Sequence, residues 1–137
     1  MIVVDTNVLI DMRELDTEWH EWSFRAVADA RLSGQVVAIS ITVGELSFRG
    51  GSLAELEALC GEFGVGILPL SSAGAYCAGQ AQRVYRAAGG RREKLLADFL
   101  IGGEAQTLGA SILTRDPWHY RRYFTDLTLI TPETDHG

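Results

Sequence analysis

Ile2-Val3-Val4-Asp5-Thr6-Asn7-Val8-Leu9-Ile10-Asp11 is the stretch around which the chain is organised. A β-branched run ends in a carboxylate, and two small polar residues lead into a new apolar segment. Side chains branched at Cβ suit a pleated surface, whereas Asp, Thr and Asn suit a turn or a helix cap. Strand, turn and helix is therefore the natural order. Asp5 then stands at the carboxyl end of a buried strand, where open α/β sheets place their ligands. Taken alone, Asp5 is more simply explained as an ordinary helix N-cap.

Working outward, the pattern predicts helices over 8–13 and 18–32, the second started near Asp16-Thr17 and stopped at Ser33-Gly34. Trp19 and Trp22 share a face of that helix, as core residues or as anchors for a partner. Residues 36–40 read as a second strand. Thr42-Val43-Gly44-Glu45 and Ser52-Leu53-Ala54-Glu55 both have capping-box spacing, opening helices over 42–48 and from 52 to about 62. A strand over 65–70 and a helix over 72–88 follow, the latter ended by Gly89-Gly90. After the loop 91–94 come a helix over 95–108 and a strand over 111–114. Asp116-Pro117 reads as a helix start with Asp at the cap and Pro at the first position. An edge strand over 127–130 precedes a loose tail from about 132. Strands alternating with helices imply one α/β domain over residues 1–137, a three-layer arrangement with a central parallel sheet flanked by helices.

Composition is ordinary for a globular protein, with 47% hydrophobic and 22% charged residues. The net charge of −6 argues against non-specific nucleic-acid binding by the whole chain. Its distribution is uneven. Residues 1–82 hold 4 basic and 11 acidic residues, residues 83–122 hold 8 and 4, and residues 123–137 hold none and 3. The basic segment suits either a phosphate-facing surface or a solvated helix face. Cys60 and Cys77 lack metal-ligand spacing and read as free thiols of a reducing compartment. Neither a leader segment nor a membrane span is legible, so a cytoplasmic location is expected.

Asp5, Glu45 and Asp116 each follow the carboxyl end of a different predicted strand, and Asp98 lies in the first turn of a helix beside them. Each could be a simple cap or a dipole-friendly acid. Four elements delivering acids to one edge are harder to dismiss. A close pair of carboxylates costs roughly 4 kcal/mol at about 4 Å and an effective dielectric near 20. Such a cluster persists when a hard cation neutralises it, and oxygen-only ligation suits Mg²⁺ or Mn²⁺. His20, His119 and His136 are scattered and show no zinc-type spacing. Carboxylate-held magnesium usually keeps water and meets substrate phosphate, which points to phosphodiester hydrolysis.

Four segments together resemble a PIN-domain nuclease, and more narrowly the VapC-type toxin ribonucleases. They are Val4-Asp5-Thr6-Asn7-Val8-Leu9-Ile10-Asp11, Ser40-Ile41-Thr42-Val43-Gly44-Glu45-Leu46, Leu96-Ala97-Asp98-Phe99-Leu100-Ile101-Gly102 and Ile112-Leu113-Thr114-Arg115-Asp116-Pro117. The resemblance spans essentially the whole chain. It implies that Asp5, Glu45, Asp98 and Asp116 are a metal-binding catalytic quartet, with Asn7 and Thr114 orienting the acids or a bound water. Asp11, one helical turn further on, reads as structural. An RNA substrate, a VapB-type antitoxin and a homodimer are implied by the family, not by spacing. Arg91, Arg92, Lys94 and Arg115 are candidates for holding RNA phosphates, and Arg121 and Arg122 flank the last acid. The rivals are a non-toxin RNA-processing nuclease, a binding module without catalysis, and a phosphatase with Asp5 as nucleophile. The last would want a second acid two residues on, where Asn7 stands.

Overall fold

The computed structural model describes residues 1–91 and 94–133; Arg92, one of the expected RNA contacts, and the end of the expected tail lie outside them. Five strands, β1 (Ile2–Val4), β2 (Val36–Ile39), β3 (Gly66–Leu68), β4 (Ser111–Leu113) and β5 (Leu129–Ile130), form one sheet in the order β3-β2-β1-β4-β5. Every pairing is parallel. Ile2 pairs with Val36 on one side and with Ser111 on the other, so β1 is central.

Period-two alternation divides β1 between two cores. Ile2 and Val4 face α1 (Thr6–Arg13), α2 (His20–Ser33), α3 (Ser40–Arg49) and α4 (Leu53–Glu62), packing with Leu9, Val27, Leu46 and Leu56. Val3 joins Val37 and Ile39 on the opposite face, against Ala78 of α5 (Ser72–Ala87), Phe99 and Ile101 of α6 (Ala97–Leu108) and Tyr120 of α7 (Trp118–Tyr123). A sheet buried on both sides requires strands that are apolar throughout, and β1 and β2 are buried at every position. The three-layer expectation holds. The chain steps from β1 through β2 to β3 in one direction and returns to β4 on the other side. The carboxyl ends of β1 and β4 therefore flank the point where the winding reverses.

The capping box at Ser52 and Glu55 forms as expected, with both bonds at 3.2 Å. The one at Thr42 and Glu45 does not. α3 starts at Ser40 directly from the end of β2, without a side-chain cap, and Thr42 lies inside it, fully buried against Thr6 at 2.9 Å. Asp116 is likewise not a cap: Pro117 occupies that position, and the Asp116 N–H donates to the Thr114 hydroxyl at 3.0 Å. A hydroxyl-closed turn two residues long holds Asp116 outside the helix. α2 starts at His20, later than expected, because a turn from Thr17 takes the His20 N–H. Trp19 and Trp22 meet edge to face at 6.3 Å, and Trp22 packs against the core. That favours the packing reading of Trp22 over an anchor for a partner. Among the described residues no helix is long and apolar enough to cross a membrane.

Helices α5 and α6 approach so closely that backbone touches backbone. A Cβ on Gly103 would lie 2.3 Å from the Gly74 carbonyl oxygen and 2.7 Å from the Ala78 nitrogen. Neither atom is the tip of a flexible side chain, so the helices would have to separate. Gly103→Ala should cost about 2–3 kcal/mol in urea melts, the usual scale for overpacking. An unchanged midpoint would show that the two helices are not locked at this distance.

Candidate active site

Asp5 follows the last residue of β1 and caps α1, its Oδ1 accepting from the Thr6 N–H at 2.8 Å. Its Oδ2 accepts from the Thr114 hydroxyl at 2.9 Å and from Asn7 Nδ2 at 3.3 Å. Thr114 sits just beyond β4, so its bond joins the two strands at the winding reversal. Asn7 also donates to Thr114 at 3.2 Å, and its carbonyl accepts from the Arg115 N–H at 3.3 Å. Asn7 and Thr114, expected to support the first and last acids, are thus bound to Asp5 and to each other.

The cap and the cleft are compatible roles for Asp5. The carboxylate is 6% exposed, and burial raises its pKa from the ordinary carboxylate range to about 6. Hydrogen bonds from Thr114 and Thr6 work against the shift, and the charge of Glu45 adds a smaller upward contribution. Desolvation, rather than the expected mutual repulsion, dominates. Glu45 lies on α3, half-buried, where Thr6 Oγ1 donates to its Oε1 at 2.6 Å. With its single proton used there, the Thr6 hydroxyl accepts from Thr42.

Asp98 is the second residue of α6, and Asp116 is exposed in the loop before α7. The four acids line one cleft of about 220 Å³, together with Thr6, Asn7 and Ile10. The elements bring the quartet to one place, with burial graded from Asp5 inward to Asp116 at the rim. Among the described residues, no three His, Cys, Asp or Glu side chains stand as a ready metal-ligand cluster. Hydrogen-bonding neighbours hold the inner carboxylates instead: Thr6 on Glu45, and His119 on Asp98 through Nδ1.

His119 has no metal-type spacing in the sequence and is not among the expected site residues. The available signal was its place three residues after Asp116, at the start of a basic helix. The basic candidates scatter. Arg91 and Lys94 are exposed on the loop before α6. Arg115 is committed inward, its Nε donating to the fully buried Asp11 at 2.6 Å, where Ser23 also donates. Asp11 is therefore structural, as expected. Arg121 pairs with Glu133 at 3.1 Å, and Arg122 lies over the exposed Trp118 ring.

A larger groove of about 490 Å³ adjoins the cleft and shares Thr6, Ile10 and Glu45 with it. Ile41, Gly44, Phe48 and Arg49 complete its lining, and Phe48 is 93% exposed.

No protein-family model and no curated protein matches the sequence, and the likeness to known proteins is structural. The chain superposes on VapBC2 from Rickettsia felis, solved bound to a DNA fragment from its promoter, with a TM-score of 0.74 at 16% identity, covering 96% of this chain and 98% of that one. VapBC-1 from nontypeable Haemophilus influenzae gives 0.69 at 20% identity, covering 96% and 98%. A toxin–antitoxin complex from Klebsiella pneumoniae gives 0.56 at 22% identity, again covering 96% and 98%. At these identities the likeness establishes the fold: a PIN-like α/β fold running the length of the matched chains.

The Asp5 shift makes a testable statement about stability. A carboxyl whose folded pKa (about 6) exceeds its unfolded value favours the native state when protonated. Its stabilising effect is complete below the unfolded pKa, near 4, and is lost as pH rises through 6. Asp5→Asn removes that dependence. In EDTA, the stability of the variant relative to wild type should rise between pH 4 and pH 7 by about 3 kcal/mol, measured by urea melts. A difference that stays flat with pH would mean that Asp5 ionises normally.

Proposed function

We propose that the protein is a metal-dependent endoribonuclease and the toxin of a VapBC-type toxin–antitoxin pair. The observation that supports it most is the delivery of Asp5, Glu45, Asp98 and Asp116 from separate elements into one cleft at the carboxyl edge of a parallel sheet. The donors are all oxygens, which fits a hard cation, and a buried carboxylate such as Asp5 gains from a neighbouring positive charge. Mg²⁺ keeps several of its own waters and is commonly held by one or two carboxylates, so the acids lining this cleft would hold it. When bound, Mg²⁺ or Mn²⁺ supplies water activation and charge stabilisation for phosphodiester hydrolysis.

The chain's own contribution is placement. Thr114, Asn7 and the Thr6 N–H hold Asp5; the Thr6 hydroxyl holds Glu45. Asp116 at the rim is the acid nearest to solvent and to an arriving RNA strand. Arg91, Lys94 and Arg122 would meet phosphates, and Arg92, which lies outside the described residues, stays a candidate from the sequence alone. Arg115 has part of its guanidinium left over beyond its bond to Asp11. The overall negative charge leaves RNA attraction to these individual basic side chains.

Asp116→Asn is the sharpest test of the site. Asp116 is exposed and caps no helix, so the substitution should leave the melting curve within about 0.5 kcal/mol of wild type. Mg²⁺- or Mn²⁺-dependent RNA cleavage should fall by more than about 100-fold, beyond the loss typical of a residue that only supports a ligand. EDTA should abolish wild-type cleavage, and the products should carry 5′-phosphate and 3′-hydroxyl ends. Cleavage that survives EDTA, or ends in 2′,3′-cyclic phosphate, would remove the metal from the reaction. Purified protein that binds RNA without cutting it in either metal would make it a binding module.

The antitoxin belongs in the Phe48 groove on this reading. A segment laid against Ile10, Ile41 and Phe48 would also reach Thr6 and Glu45, covering the cleft while burying apolar surface. Phe48→Ser removes an exposed ring and should spare the fold. It should weaken the antitoxin complex by at least roughly 10-fold, the scale of an aromatic anchor. An unchanged dissociation constant in calorimetry would place the antitoxin elsewhere. The homodimer expected from the resemblance remains part of the proposal, testable by sedimentation.

A further inference from the structure

We propose that His119 is a positioning residue that aims the Asp98 carboxylate into the cleft. Its Nδ1–H donates to Asp98 Oδ2, and Asp98 has no other hydrogen-bond partner among the described residues. The other inward acids are held in the same manner, Asp5 by Thr114 and Asn7 and Glu45 by Thr6. His119 therefore completes a set in which each inward acid has its own donor.

The ring is itself held by three helices. Tyr85 of α5 packs edge-on at 5.5 Å, Phe99 of α6 at 5.1 Å, and Tyr123 of α7 lies tilted at 6.1 Å. Tyr85 is pinned in turn, because Gly90 comes so close that a Cβ there would fall 2.3 Å from its ring. An imidazole boxed on three sides keeps one orientation, so the direction of Nδ1 is set before any ligand arrives. A side chain present only to fill this box would need no nitrogen. A purely polar surface residue would need no box. His119 has both, and its side chain is 26% exposed, at the boundary between the aromatic core and the cleft.

This role rests on the acid cleft being the hydrolytic site. Two substitutions separate the functions of the ring. His119→Phe fills the aromatic box and removes the donor. His119→Asn restores a donor where Nδ1 stood and removes the ring. Three readouts apply to each: the thermal melt in EDTA, Mn²⁺ binding by electron paramagnetic resonance, and kcat and KM for RNA cleavage. His119→Phe should melt close to wild type, bind Mn²⁺ about 10- to 100-fold more weakly, and lose kcat by a similar factor with KM little changed. His119→Asn should recover most of the Mn²⁺ affinity and kcat despite a lower melting temperature. A Phe variant with wild-type Mn²⁺ affinity and kcat would overturn the positioning role while leaving the nuclease reading intact. Losses that track the melting temperature in both variants would also overturn it, reducing His119 to a packing residue. Wild-type protein that neither binds Mn²⁺ nor cuts RNA would overturn the nuclease reading and this role with it.

Discussion

A carboxylate sealed at the centre of the sheet sets the terms for everything near it. Asp5 ends the middle strand, is almost wholly removed from water, and has its ionisation displaced upward by that burial. Such a group is tolerable only with donors built around it. Those donors come from the start of α1 and the end of β4, so the placement of these two elements is tied to the chemistry of one side chain. The Asp5 N–H continues the β1–β4 ladder by donating to the Leu113 carbonyl at 2.9 Å. Backbone pairing and side-chain capping thus converge on the same residue.

From that floor the site opens outward in steps. Glu45 and Asp98 are half-buried and each is engaged by one neighbouring side chain, while Asp116 stands in solvent. The gradient gives each acid a different physical character despite their common chemistry. A deep carboxylate sits in a low dielectric, where opposite charge is felt strongly; a rim carboxylate is screened and mobile. The close contact of α5 with α6 through Gly74, Ala78 and Gly103 fixes where the first turn of α6, and therefore Asp98, can stand. Small residues far from the cleft are thereby part of its geometry.

The basic segment resolves into individual arginines with different duties. Arg115 reaches inward to neutralise Asp11, a fully buried acid whose charge would otherwise be costly. Arg121 is occupied at the surface by Glu133, and Arg122 rests on aromatic rings. Local charge counts identify a basic segment of the chain; they do not separate arginines engaged in the fold from those open to phosphate.

The sequence by itself determined the elements and their order. β-Branched runs, polar turns and apolar periodicity report short-range preferences, which is why the parallel strands, most of the helices and the Ser52 capping box were legible. The four acids were legible for the same reason, each standing at a fixed offset from a strand end or helix start. Only the tertiary structure decided what those residues do locally. Thr42 and Glu45 have the spacing of a cap, yet packing turns Thr42 inward onto Thr6, because a hydroxyl finds a buried partner there that no local pattern encodes. Asp116 has the sequence context of an N-cap, yet Thr114 captures its N–H and leaves it at the rim. The pairing of His119 with Asp98 spans 21 residues and depends on the packing of three helices. Such contacts arise from the meeting of distant segments, and residue spacing carries no record of them.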